Sequence, residues 1–550
     1  MASMWYKNAI FYGIDIRRFQ DSNGDGFGDL RGLISRLDYL VDLGIDALWL
    51  LPFFDSPLRD NGYDIRDYYR IDPRVGELED FTDLVKEARK RNIRLVIDMV
   101  MNHTSDQHPW FQAARRDPAS RYRDYYVWAD SPPKKSAGGP IFPGEEDNVW
   151  TYDSLAKSYY FHRFYHFQPD LRIANPEVQA EIFKAIDFWL SLGVDGFRFD
   201  AAPLMIEAKG FEGTEPDEPH SIFEEIHHYI TQRKPDAVLL AEADVPSDEM
   251  DEFFAGDSGM NMLFNFLIGP HIFLALTLGN AEPLKKYLRK LLFPPENDQW
   301  LIFLRNHDEL NIAKMLPEHK RTIFQAYAPE ESMRIYGRGI RRRLAPMLSE
   351  DGHEMKRQKV ELAFSLLFSS PGAPLIMYGD EIGMGENLEL PGRDAARTPM
   401  QWSQEKNAGF SSAERLIAPV VNEGPFGYDK VNVCDQRAEA GSFLHYIQDL
   451  IAMRKNCPEI GISRVQTLEA EGNCQQVLIS SYPSIDGSQE NISLILFHNL
   501  SAQAVSATKN LQHASSNSHN ILFGNGSLVP GEQEKLTVDL PAFGYLWLRV

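Results

Sequence analysis

Eight short apolar runs recur along the chain, with longer helical patterns between them. They are AIFYGIDI (9–16), ALWLLPF (47–53), RLVIDMV (94–100), GFRFDA (196–201), VLLAEA (238–243), LFNF (263–266), WLIFLRN (300–306) and PLIMYGD (374–380). Each is rich in β-branched or aromatic residues and apolar on both faces of the pleat, as strands of a covered parallel sheet are. In the helical pattern over 78–92, Phe81, Leu84, Val85 and Ala88 form one apolar stripe. Over 176–193, Val178, Ile182, Ile186 and Trp189 line one face, Pro176 opens the helix and Gly193 stops it. Strands alternating with helices in this number predict an α/β fold, a (β/α)8 TIM barrel. A doubly wound open sheet is the competitor, but no glycine-rich phosphate loop follows the first strand.

The alternation breaks twice. Residues 104–169, after the third strand, are aromatic- and proline-rich and too long for a loop, which predicts an inserted subdomain. A second insertion spans about 309–352 and carries the basic run RGIRRRLAP, read as a solvated helix face that pairs with acidic neighbours. From 465 the pattern changes again. QQVLISSYP, ISLILFHNL, KLTVDL and FGYLWLRV read as strands between Asn/Ser/Gly-rich turns. The expected organisation is a barrel over 1–103 and 170–464, a subdomain over 104–169, and an all-β sandwich domain over 465–550.

Composition narrows the class. The chain has 550 residues, more than one core usually supports, with 43% hydrophobic and 25% charged residues, as in a soluble globular protein. Its net charge of −23 disfavours nucleic acid and anionic membranes as partners. Cys434, Cys457 and Cys474 are sparse and odd in number, which speaks against a disulfide framework or a zinc site and for reduced thiols in the cytoplasm. The N-terminal residues show no basic-then-apolar leader, and no run approaches the roughly 18 apolar residues of a membrane span.

Candidate chemistry sits at the strand ends, where a barrel enzyme keeps its reactive groups. The third strand ends in Asp98, Asn102 and His103, the fourth in Arg198 and Asp200, the fifth in Glu242, and the seventh in His307 and Asp308. A lone strand-end aspartate is more often a cap or an ion-pair partner. Carboxylates gathered at one barrel mouth repel one another and must be stabilised, which makes a functional reading the better one. Arg198 lies two residues before Asp200 on one strand, so both point to one face, and its charge is expected to keep Asp200 ionised. The apolar neighbours Leu240, Ala241 and Ala243 are expected to raise the pKa of Glu242.

These segments, in this order, resemble the four signature regions of the alpha-amylase family of glycoside hydrolases. QPDLRIANP (168–176) resembles a fifth region in the form found on the oligo-1,6-glucosidase side of the family. SPLRDNGYDI, SDQHPWFQAARRDP and MRIYGRGIRRRLAP are most similar to its trehalose synthase branch. The resemblance implies Asp200 as nucleophile, Glu242 as general acid/base and Asp308 as stabiliser of the transition state in a retaining mechanism. It implies that His103 and His307 donate to sugar hydroxyls, that Tyr63 stacks on the sugar face, and that Asp64 paired with Arg397 closes the pocket behind the terminal glucose, Arg393 being the lesser candidate. The activity implied is α-glucosyl transfer on short α-glucosides, foremost the interconversion of maltose and trehalose. A hydrolytic α-glucosidase is the alternative, and a non-catalytic scaffold is disfavoured by the presence of all three carboxylates. The expected partner is a small oligosaccharide; a homo-oligomer stays open. No nicotinamide, flavin or phosphate-loop motif implies an organic cofactor.

One motif remains. In DSNGDGFGDL (21–30) oxygen-bearing residues alternate around Gly26, like the first part of an EF-hand loop. The twelfth position is Gly32 rather than glutamate, and no second loop follows, which speaks against a calcium sensor. The segment resembles the calcium loop of the same family branch, which implies a structural Ca2+ held by Asp21, Asn23, Asp25 and Asp29 and by the backbone carbonyl of Phe27. The alternative is an ion-free turn in which these side chains bond the backbone.

Overall fold

The computed structural model describes residues 4–133, 138–246, 249–254, 256, 259–349, 357–472, 474–485, 492–510, 519–530 and 535–550. Each of the eight apolar runs holds one strand of a closed parallel barrel. These are β1 (Phe11–Ile14), β2 (Ala47–Leu50), β3 (Arg94–Met99), β4 (Gly196–Phe199), β5 (Val238–Ala241), β6 (Met262–Asn265), β7 (Gln299–Ile302) and β8 (Ala373–Met377). Phe11 pairs with Ala47 on one side and Leu375 on the other, which closes the ring. Apart from half-buried Arg94, every residue of these strands is buried. A sheet wrapped by helices outside and packed with side chains inside leaves no wet face, so alternation is lost.

The helices form where the stripes predict them. Helix α1 (Leu78–Lys90) buries Phe81, Leu84, Val85 and Ala88. Helix α2 (Pro176–Leu192) is capped by Asn175, whose side chain accepts from the Glu177 N–H, and ends at Gly193 with φ of 100°. Trp189 of α2 meets Phe54 and Phe81 with ring centroids 5.1 Å apart, and its indole N–H donates to Tyr68 O at 2.8 Å. This fixes α2, and with it the start of β4, which carries the reactive groups.

After β3 the chain leaves the barrel, forms a helix over Pro109–Arg116 and a three-stranded antiparallel sheet, and returns through a bridge between His103 and Asp170. The C-terminal residues form a five-stranded and a three-stranded antiparallel sheet. Their strands include Val477–Pro483, Ile492–Asn499, Lys535–Leu540 and Tyr545–Arg549, the four read from sequence. Val477 and Ile479 face the second sheet, whereas Leu478 and Tyr482 join the barrel's core, so both faces of this sheet are dry. No helix among the described residues is long and apolar enough to cross a membrane.

The basic run departs from expectation. Residues 338–343 are not a solvated helix face: Gly339–Ile340 is a short strand, and Arg342 and Arg343 are buried. The expected acidic partners are present but lie far along the chain, Glu309 for Arg338, Glu386 for Arg342 and Asp380 for Arg343. Buried guanidinium groups demand such partners, and a charge run carries no sign of whether its partners are solvent or core. Residues 350–352 of the second insertion lie outside the described residues.

Candidate active site

The ends of β3, β4, β5 and β7 open on a cavity of about 320 Å³, lined by Asp60, Tyr63, His103, Asp200, Glu242 and Asp308 among others. Arg198, 1% exposed, is its electrostatic hub. Its Nη1 donates to Asp98 at 2.6 Å and to Asp200 at 2.7 Å, and its Nη2 donates to Glu242. One guanidinium thus holds the carboxyl groups of Asp200 and Glu242 side by side at the cavity. Immediately after Asp200 the chain turns sharply, with Ala201 in the left-handed region at φ 46°. A non-glycine residue there is strained, and such strain gathers at functional sites.

Burial sets the protonation states. It pushes Glu242 up to about 8, with Asp200 and Asp308 adding to the rise against Arg198. It pushes Asp200 up to about 6, with Arg198 pulling down and Asp98 and Asp308 pushing up. Near neutral pH, Glu242 therefore carries a proton and Asp200 is mostly ionised, the division of labour an acid and a nucleophile need. Arg198 moderates Asp200 rather than holding it in the ordinary carboxylate range. For Asp308 burial also pushes upward, but Arg393, His307 and Arg397 outweigh it and hold the carboxyl well below the usual range. Burial lowers the pKa of both His103 and His307.

Tyr63, His103 and His307 come together, but His307 is not among the residues that line the cavity. Tyr63 and His103 line the cavity. Tyr63 stacks on His307 at an interplanar angle of 16°, and its hydroxyl lies 2.7 Å from His307 Nε2. His103 Nε2 lies 3.1 Å from the Tyr63 carbonyl.

The expected pair of Asp64 and Arg397 is not formed. Asp64 is fully buried and folds back on its own loop, accepting from Ser56 Oγ at 3.0 Å and from the N–H groups of Arg59 and Asp60 at 3.1 Å. Arg397 donates to His307 O and Asp308 Oδ1, each at 2.8 Å. The pair at the cavity wall is Asp60 with Arg393 at 2.6 Å, and Arg393 also donates to Asp308. The signal was in RDNGYD. Asn61 (φ 51°) and Gly62 (φ 100°) are both left-handed, so the chain reverses between the two acids and they face opposite ways.

Sequence reasoning also missed Lys209. It is 1% exposed, and its Nζ donates to Asn102 Oδ1 at 2.5 Å, Asp170 Oδ2 at 2.9 Å and Leu204 O at 2.5 Å. This buried cation ties the β4 exit to the end of β3 and to the returning segment beside His103. Nothing around it in sequence marks a lysine as internal.

The segment 21–30 forms a chain of Asx turns. Asp21 accepts from the N–H groups of Asn23, Gly24 and Gly26, Asn23 from that of Asp25, and Asp25 from that of Phe27. Asp29 caps the next helix through Gly32 N and holds Ser22. Among the described residues no three Asp, Glu, His or Cys side chains gather to hold a metal ion. The donors are all oxygen, as a hard cation requires, but binding one would need them to converge.

A parallel barrel that gathers these carboxylates around one guanidinium, beside a sugar-sized cavity, defines a glycoside-processing enzyme of the retaining kind. The catalytic-domain model of alpha amylase matches residues 14–332 and 340–461, and the chain belongs to the alpha-amylase family. It is 39% identical over 552 residues to a trehalose synthase/amylase of Mycobacterium tuberculosis, covering 99% of this chain and 90% of that one. It is 44% identical over 463 residues to a trehalose synthase of Thermus thermophilus, covering 84% of this chain and 47% of that one. A solved trehalulose synthase superposes with a TM-score of 0.77 at 25% identity, covering 99% of this chain and all of that one.

Proposed function

We propose that the protein interconverts maltose and trehalose by intramolecular glucosyl transfer. In this reading Asp200 attacks the anomeric carbon and the bond to the departing glucose breaks as Glu242 protonates its oxygen. The freed glucose turns and re-attacks through another hydroxyl, which Glu242 deprotonates, and Asp200 is released. Asp60, Arg393 and Asp308 would hold the transferred ring from behind, with Tyr63 on its face. The observation that carries the reading is the roof that the two insertions build at the cavity. Arg338 of the second insertion donates to Glu309 at 3.2 Å and to the carbonyl of Ile141, in the first insertion, at 2.7 Å. Tyr336 stacks on Phe142 with centroids 4.8 Å apart. A roof joined from two insertions suits an enzyme that keeps water out while glucose turns.

A time course on maltose tests this. Trehalose should appear as the main product with little free glucose; glucose as the only product would replace the reading with hydrolysis. Arg338→Ala opens the roof and should raise the ratio of glucose to trehalose by about tenfold, the equivalent of one charge-assisted hydrogen bond.

We further propose a structural Ca2+ in the 21–30 loop, supported by its all-oxygen donor set, with no part in the chemical steps. Chelator should lower the melting temperature by several degrees and Ca2+ should restore it; an unchanged melt would leave the bare turn. Three free thiols, Cys457 of them buried, suit a reducing cytoplasm.

A further inference from the structure

Lys209 is joined to the cavity wall by a hydrogen-bond relay whose polarity is fixed from one end. Its Nζ meets three acceptors: Asn102 Oδ1 at 2.5 Å, Asp170 Oδ2 at 2.9 Å and Leu204 O at 2.5 Å. Three acceptors use three N–H bonds, so the amine is an ammonium with no lone pair to offer. The end of the Asn102 amide that faces it is therefore the oxygen. The amide nitrogen then faces Asp170 Oδ2 at 3.1 Å and His103 Nδ1 at 3.3 Å. Asn102, His103 and Asp170 are all buried, so each of these groups depends on the others for its partners. In a neutral imidazole one nitrogen donates and the other accepts. Nδ1 meets an N–H and must accept. Nε2 has an acceptor in reach, the Tyr63 carbonyl at 3.1 Å, and also the Gln168 amide nitrogen at 3.2 Å. That amide is oriented by other partners: its Oε1 accepts from the Tyr165 N–H at 3.1 Å and its Nε2 donates to Asp60 at 3.0 Å. The opposite tautomer would set an Nδ1–H against the Asn102 N–H, leaving two buried donors without an acceptor.

We propose that Lys209 is a positioning residue that fixes the tautomer of His103: through Asn102 it holds the ring proton on Nε2, the nitrogen beside Tyr63. Both His103 and Tyr63 line the cavity. Nε2–H is then the one donor of the ring, and it exchanges the Tyr63 carbonyl for a sugar hydroxyl when substrate enters. A donor set in advance by buried partners needs no reorganisation during the reaction. The contact with sugar rests on the glucosyl transfer proposed above; the tautomer does not.

NMR of the intact protein with ring-labelled histidine tests this, His103 being assigned as the signal that His103→Gln removes. In the parent at neutral pH the ring should carry its one proton on Nε2. Lys209→Met leaves Asp170 without its cation and lets the Asn102 amide turn. It should move the proton to Nδ1 and lower kcat/KM on maltose about tenfold, the equivalent of one hydrogen bond. Asn102→Asp sets an acceptor oxygen against Nδ1 at unchanged size, and should place a proton there with Lys209 intact. A parent ring protonated on Nδ1 overturns the proposal. So does a Lys209→Met protein that loses activity with the proton still on Nε2, the mark of a purely structural lysine. If Lys209→Met does not fold, the parent and Asn102→Asp spectra decide, and a proton on Nε2 alone in Asn102→Asp overturns the relay. Glucose as the only product from maltose would replace isomerisation with hydrolysis and leave these spectra unchanged.

Discussion

Asp200→Asn is expected to lower kcat/KM on maltose by about 10⁴-fold or more, because it removes the attacking electron pair and leaves the shape of the site unchanged. The fold should survive, and stability should rise at neutral pH. Burial lifts the Asp200 pKa from 3.8 to about 6, so the folded state holds its proton more tightly than the unfolded chain does. Below about pH 4 the carboxyl is neutral in both states and contributes nothing. As pH climbs through 4 to 6 the unfolded chain ionises first, and stability is lost until both states are charged. Asparagine never carries that charge, and Arg198 still has Asp98 to pair with. Melting curves of the two proteins should therefore coincide near pH 4 and diverge by pH 7, the variant melting higher. Turnover within a few-fold of the parent would move the nucleophile elsewhere.

That the most reactive residue is also a stability liability explains what the sequence makes legible. Arg198, Asp200, Glu242 and Asp308 are costly to gather, so they persist as recognisable chemistry at the ends of apolar runs. The barrel was readable for a similar reason: strands covered on both faces are apolar except where they carry groups with buried partners, such as Asp98 and Arg198. The unread parts depend on long-range geometry. Asp60 and Asp64 are chemically identical and four residues apart, and only the left-handed pair Asn61–Gly62 decides which one faces the cavity. Lys209 and the arginines of 338–343 look like surface charge until Asp170, Glu309, Glu386 and Asp380 arrive from elsewhere in the chain. A local pattern cannot tell a solvated cation from one buried against a distant carboxylate.

Glu242→Gln separates the two halves of the reaction. On maltose it should lower kcat by about 10²- to 10⁴-fold, since the departing glucose oxygen is no longer protonated. A glucoside with an acidic leaving group, such as an aryl glucoside, needs no such help, so its first step should be spared and the glucosyl-enzyme should accumulate as a burst. Azide, which attacks without a general base, should then release glucosyl azide and restore turnover. The pH profile carries a second signature. Activity of the parent should fall as pH drops below about 6, where the group of carboxyls around Asp200 takes up a proton, and as pH rises above about 8, where Glu242 loses its own. Glutamine cannot titrate, so the alkaline limb should vanish from the variant while the acid limb stays. An alkaline limb that persists unchanged would assign the proton donor to another group, and Glu309, also raised by burial and lining the same cavity, is the residue to substitute next.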